Sequence, residues 1–148
     1  MNAIRGFFGD YRFLSNFYPV EIDYNFIVYP SVEHAYQASK TYSVRHKLMI
    51  ADTPRPGDAK RLGKTLEIAK GWEEHKLTIM YDLNKLKFTQ LAFKPRLLAT
   101  GDAELVETNA WGDIFWGECR GVGENHLGKI LMRIRAEITE AQNALSTK

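Results

Sequence analysis

The chain opens in a strand-like pattern and turns helical at Ser31. Residues 4–8 and 20–28 are rich in Ile, Val, Phe and Tyr, and over Val20–Phe26 apolar residues alternate with polar ones. That alternation is the period of a half-buried strand. A turn-prone stretch holding Gly9, Asp10, Ser15, Asn16 and Pro19 lies between them, so two short strands joined by a structured loop are predicted. Ser31-Val32-Glu33-His34 then reads as an N-cap with an acid in the first turn, and Pro30 disfavours helix at Tyr29. This helix is expected to run to Lys40 or Thr41. A second helix is predicted over Val44–Ala51, ending before the breaker segment Thr53-Pro54-Arg55-Pro56-Gly57. A short helix from Asp58 to Leu62 or Leu66 follows, interrupted by Gly63.

From Trp72 to Leu91 apolar positions 72, 79, 80, 83, 86 and 91, with the stem of Lys76, keep helical spacing. Pro95 marks either a break or the first turn of a short helix to Leu98. Glu104-Leu105-Val106-Glu107 reads as a short buried strand, residues 109–117 as an irregular aromatic segment, and Gly121 and Gly123 as a flexible loop. A final amphipathic helix runs from Asn125 to about Ala141, with apolar residues at 127, 130, 131, 134 and 138, before a frayed tail. Helix outweighs strand, so the fold class is mainly α (α+β): one helical domain over residues 1–148, with a small β element from the N-terminal segment and residues near 104–107.

Length and composition fit that reading. The chain has 148 residues, 45% hydrophobic, enough to bury about two-thirds of the surface exposed by the unfolded chain. The single cysteine, Cys119, excludes an internal disulfide and a cysteine-rich zinc site, and fits a reducing compartment. No apolar run approaches the roughly 18 residues of a membrane span, and Met1-Asn2-Ala3-Ile4-Arg5 lacks the apolar stretch of a signal peptide. A cytoplasmic protein without membrane partners is the expectation. The net charge of +2 hides an uneven distribution: −2 over residues 1–39, +7 over 40–96 and −3 over 97–148. A basic middle could face a phosphate-bearing ligand, or could simply solvate outer helix faces.

On a helix, Glu33, Tyr36, Gln37 and Lys40 share one stripe. They would line a polar pocket with a carboxylate, a phenol, an amide and an amine, or lie on a surface helix whose Glu33 favours the positive terminus. Asn109-Ala110-Trp111-Gly112-Asp113-Ile114-Phe115-Trp116-Gly117 cannot be periodic core. Its aromatics offer stacking surfaces, its glycines allow close approach of a ligand, and Asp113 is either a carboxylate for acid–base work or the cap of a turn. Ser15 and Asn16 could bond a ligand or local backbone. Lys60 and Lys64 are candidate anion contacts or, if desolvated, a Schiff-base amine. Gly123-Glu124-Asn125-His126-Leu127-Gly128-Lys129 opens the last helix, whose N–H groups could hold a phosphate, although it is neither a P-loop nor a dinucleotide fingerprint. His34, His46, His75 and His126 show no metal spacing, and no metal site or cofactor is expected.

The blocks Phe8-Gly9, Leu14-Ser15-Asn16-Phe17-Tyr18-Pro19, Tyr29-Pro30-Ser31-Val32-Glu33-His34-Ala35-Tyr36-Gln37-Ala38-Ser39-Lys40, Asp113-Ile114-Phe115-Trp116-Gly117 and Asn125-His126-Leu127-Gly128-Lys129 resemble the NADAR family, named for NAD and ADP-ribose. The resemblance runs from about residue 7 to about 136. It implies an N-glycosidase on a mainly helical fold, cleaving the bond between ribose C1′ and an exocyclic amine. The implied substrate is a ribosylaminopyrimidine phosphate of the riboflavin pathway or ADP-ribosylated guanine, with nucleic acid as a carrier in the second case and a separate ADP-ribosyltransferase toxin as a partner of such a system. By family motif, Glu33 and Asp113 are expected to share proton transfer and charge stabilisation, Trp116 to stack on the base or shield the ribosyl cation, and Lys60 to be a candidate covalent amine. Asn16, Phe17, Gln37, Asn109, Gly117 and Gly128 are expected substrate contacts, and Lys40 and Lys129 phosphate contacts. The competing readings are a non-catalytic NAD or ADP-ribose module and a basic-patch nucleic-acid binder.

Overall fold

The computed structural model describes residues 2–147. The fold is mainly α with a small β component: among the described residues there are six α-helices, a 3-10 helix at Gly9–Leu14, and strands of two or three residues. The chain divides into two compact units, Asn16–Lys87 and a second made of Met1–Ser15 with Phe88–Lys148.

In the Asn16–Lys87 unit, β2 (Ile22–Tyr24) and β3 (Ile27–Tyr29) form an antiparallel hairpin in the register Ile22↔Tyr29. The alternating stretch is therefore not one strand but one arm and the turn of a hairpin. Asn25 and Phe26 make that turn with φ of 52° and 69°, the left-handed pair that matches strand twist. α1 (Val32–Ala38) follows, its Ser31 hydroxyl accepting from the His34 N–H as the pattern predicts. The helix stops at Ala38 rather than Lys40, because the Ser39 hydroxyl donates to the Ala35 carbonyl and the next N–H groups make tighter bonds, Lys40 to Gln37 and Thr41 to Ala38. α1 packs against the hairpin, α2 (Val44–Ala51) and α3 (Pro56–Gly63). Part of the predicted breaker segment thus starts α3: Pro56 sits in its first turn, where its missing N–H is no loss. α4 (Trp72–Phe88) completes the unit.

Phe26 is fully exposed at its positive φ. A Cβ-bearing residue in that conformation is disfavoured by roughly 1–2 kcal/mol, with no burial to offset it. Phe26→Gly is expected to stabilise the protein by about 0.5–1 kcal/mol, net of glycine's greater unfolded freedom. A rise in the urea midpoint checks this; a fall means that the ring packs in solution.

In the second unit β1 (Ala3–Arg5) pairs in parallel with β4 (Glu104–Val106), register Ile4↔Leu105. α5 (Lys94–Leu98) holds Pro95 in its first turn, so the helix alternative at that proline is the observed one. β5 (Thr108–Asn109) and β6 (Glu118–Cys119) close the aromatic segment between them as a parallel pair. The Gly121 loop is a tight turn, with Arg120 and Gly121 at positive φ and Cys119 and Val122 exchanging backbone hydrogen bonds. α6 (His126–Ser146) buries Leu127, Ile130, Leu131, Ile134 and Ile138, the predicted stripe, and continues through the stretch expected to fray. Buried Arg135 of α6 donates to Thr100 Oγ1 and the Ala103 carbonyl, both at 2.8 Å, anchoring α6 to the approach to β4.

Candidate active site

Every residue of α1 is buried. That decides between the alternatives for Glu33: it is not a solvated surface charge, being 7% exposed. Ala35 and Ala38, both fully buried, add little bulk to the helix faces that α2 and α3 pack against. The helix start is held twice, by the Ser31 cap and by the Asn16 carbonyl, which accepts the Glu33 N–H at 3.0 Å. One turn on, Gln37 Nε2 donates to Glu33 Oε2 at 2.6 Å, a charge-assisted bond in a dry setting.

Beside this carboxylate stands a cation. Lys40 lies just past the helix with its Nζ 5.5 Å from the centre of the Tyr36 ring, and Tyr36 packs on Trp72 at 5.2 Å. Burial lowers the pKa of Lys40; the negative charge of Glu33 opposes that, and Lys60, Lys64 and Lys76 add to it. Glu33 and Lys40 are thus electrostatic neighbours within a lysine cluster, with Lys60 half-buried on α3. Asn16 is buried with Nδ2 on Met80 Sδ at 3.3 Å and Oδ1 accepting from Asn84 Nδ2 at 3.4 Å. Its side chain serves the protein interior as well as any ligand. Phe17 beside it is exposed.

The remaining expected residues belong to the second unit. Buried Asn109 clamps the aromatic segment: its Oδ1 accepts from the Asp113 N–H at 2.9 Å and its Nδ2 donates to the Asp113 carbonyl at 2.8 Å. Asp113 Oδ1 then accepts from the N–H groups of Phe115 and Trp116, at 3.1 and 2.9 Å. Asp113 therefore caps a turn, the bland alternative for it, and that same turn fixes its carboxylate. Trp116 is half-buried and meets Phe115 edge-on at 4.8 Å. A Cβ at Gly117 would collide with Glu107, and one at Gly128 with the Leu105 carbonyl and the Asn125 amide. Both glycines permit close packing within this unit, while Lys129 is exposed. The phosphate cradle expected at the start of α6 is not open, because the N–H groups of His126 and Leu127 are bonded to the carbonyls of Phe115 and Trp116.

His34 is a structural tie. Its Nε2–H donates to the Thr53 carbonyl at 3.0 Å, so Nδ1 accepts from the Ser31 hydroxyl at 2.6 Å. Burial lowers its pKa, with Thr53 and Asp58 opposing. The unfolded chain, with histidine near 6.5, therefore binds a proton first as pH falls. Stability from this group is complete above pH ~6.5 and declines as pH drops below it. Urea midpoints at about pH 7.5 and 5.5 are expected to fall in the wild type by more than in His34→Gln; equal falls contradict the assignment.

Several polar residues escaped the pattern. Lys87 is fully buried with its amine 5.9 Å from the Tyr18 ring centre, and Asn84 is also buried. Both lie on the stripe Met80, Leu83, Asn84, Lys87, so tracking that helix face was the signal available. Glu107, the last residue of the predicted strand, also belongs to this polar set: its Oε2 accepts from Asn109 at 3.2 Å. Among the described residues no three His, Cys, Asp or Glu side chains gather as a metal site, and no helix is long and apolar enough to cross a membrane.

Buried Glu33 on a capped helix and an aromatic turn built on Asp113 are both carried by family blocks, and residues 6–139 match the NADAR domain. The chain belongs to the NADAR family. It is 34% identical over 135 residues to N-glycosidase YbiA of Escherichia coli strain K12, covering 87% of this chain and 82% of that protein. It is 37% identical to N-glycosidase Npun_R5314 of Nostoc punctiforme, covering 86% of each, and 36% identical to the riboflavin biosynthesis protein VVA0006 of Vibrio vulnificus. The chain spans only 36% of the Vibrio protein and 23% of a maize riboflavin biosynthesis protein, PYRR. The solved structure of E. coli YbiA superimposes with a TM-score of 0.84 at 32% identity, covering 96% of this chain and 89% of that one.

Proposed function

We propose that the protein is an N-glycosidase hydrolysing the bond between ribose C1′ and an exocyclic amine, with a ribosylaminopyrimidine phosphate preferred over ADP-ribosylated guanine. The observation that carries the reading is the Glu33 carboxylate, buried, hydrogen-bonded by Gln37 and neighboured by Lys40. Relatives similar over most of their length bear the name N-glycosidase, and longer relatives the name riboflavin biosynthesis protein, which supports the activity and the pyrimidine preference. A lysine cluster suits a phosphate ester, and a fixed carboxylate suits a reaction whose transition state gathers positive charge at C1′.

In the reaction, the C1′–N bond breaks and a water oxygen bonds to C1′. Glu33 accepts a proton from that water, and the leaving nitrogen takes up a proton from a general acid or from solvent. The products are a ribose phosphate with a free anomeric hydroxyl and the released amine. Incubating the protein with each substrate and weighing the products tests this. Release of ribose 5-phosphate, faster than release of ADP-ribose from the guanosine adduct, is expected. Binding of both compounds without cleavage of either would make the protein a reader of ADP-ribose-like ligands and overturn the proposal.

A further inference from the structure

We infer that Gln37 is a positioning residue that holds Glu33 as an ionised carboxylate, and that Gly63 is glycine to house the Gln37 carboxamide. The inference rests on the reading of Glu33 as the reacting carboxylate. It departs from the family-based expectation that Gln37 touches substrate.

Gln37 is 3% exposed, and its Nε2 donates to Glu33 Oε2 at 2.6 Å. Its Oε1 is buried and has no hydrogen-bond partner. An orphaned buried acceptor is destabilising, and is kept where the group's other end has work to do. Turning the amide round would set two oxygens against each other unless Glu33 carried a proton for them to share. The observed orientation is the one that an ionised Glu33 demands, and a hydrogen bond to the charged form lowers a carboxyl's pKa. Lys40, beyond the helix end, is the cation that feels the Glu33 charge, and Lys60 of α3, Lys64 after it and Lys76 of α4 stand around that ammonium. His34, the next residue, is engaged by Ser31 and Thr53.

Gly63 supplies the room. A Cβ there would collide with Gln37 Oε1 and crowd Cδ and Cβ of the same side chain. Gly63 itself lies in α3 without a positive φ, so space rather than backbone conformation explains the glycine. An acidic residue kept ionised by a neutral amide one turn away serves as the proton acceptor for water, not as the donor to the leaving amine.

The test follows the Glu33 carboxyl by carbon-13 NMR in protein labelled at the Glu side-chain carboxyls, its signal assigned by its loss in Glu33→Gln. In Gln37→Met the Glu33 midpoint is expected to rise by about one pH unit. Its kcat should fall about 10- to 100-fold with KM nearly unchanged, and the acidic limb of the pH–rate profile should move up with the midpoint. Gly63→Ala, whose methyl would push the Gln37 carboxamide out of place, should shift both in the same direction by less. A midpoint unmoved in both variants overturns the inference, as does a raised KM with unchanged kcat, the mark of a substrate contact. The titration needs no turnover, so wild type inactive on both substrates sinks the proposed function while the midpoints still decide the role of Gln37. If Gln37→Met does not fold, Gly63→Ala decides it.

Discussion

Glu33→Gln is expected to lower kcat on the preferred N-riboside by about 10²- to 10⁴-fold, the range for removing a general acid or base, with little change in KM. The substitution keeps the volume of a buried side chain and leaves an oxygen able to accept the Gln37 bond of 2.6 Å, so the helix should stay folded. Removing a buried charge can even be stabilising. What is lost is the charge itself: the site can no longer take a proton from water or face positive charge at C1′. Glu33 also supports the charged form of Lys40, so the Lys40 ammonium should titrate lower in the variant. Products weighed by mass spectrometry, with a urea melt on the same sample, make the check. Turnover within a few-fold of wild type would move the reacting carboxylate away from α1, and Asp113→Asn would become the variant to make.

Local chemistry was legible in the sequence wherever it reported its own neighbourhood. The Ser31 cap and the apolar stripe of α6 depend on residues within a few positions of one another, and both are present. What failed depended on distant partners or on unusual turns. Asn25-Phe26 makes a left-handed turn without glycine, so the stretch over 20–28 reads as a single short strand rather than a hairpin. The apolar count over Trp72–Leu91 admitted Leu86 and Leu91, which are exposed, and missed Lys87, which is buried and whose stem is largely apolar; the helix itself ends at Phe88, short of Leu91. The site followed the same rule. Residue types flagged Glu33 and Gln37, but whether their helix was wetted or enclosed depended on α2, α3 and the hairpin. Gly63 read as an interruption of α3, whereas its meaning lies in a carboxamide 26 positions earlier in the chain.

Asn125→Ala is expected to destabilise the protein by about 3–7 kcal/mol, a large part of the usual total of roughly 5–15 kcal/mol. Asn125 sits at the start of α6 with φ of 52°, and its side chain caps nothing in that helix. Its Oδ1 accepts the Glu107 N–H at 3.0 Å and its Nδ2 donates to the Leu105 carbonyl at 2.9 Å, so the amide acts as one more residue of strand alongside β4. Leu105 is fully buried and Asn125 is 5% exposed, which leaves little route for water to replace the lost partner. Two orphaned groups at about 1–3 kcal/mol each account for most of the loss. Alanine at this φ, where asparagine is tolerated, adds about 1 kcal/mol. Asn125→Gly separates the two contributions, since it removes the hydrogen bonds and relieves the backbone, and it should recover only that last part. Equilibrium urea unfolding of the two variants at one pH gives both numbers. A loss below about 1 kcal/mol in Asn125→Ala would mean that β4 finds other partners, and the amide would then be packing material beside Gly128, not the tie between strand and helix.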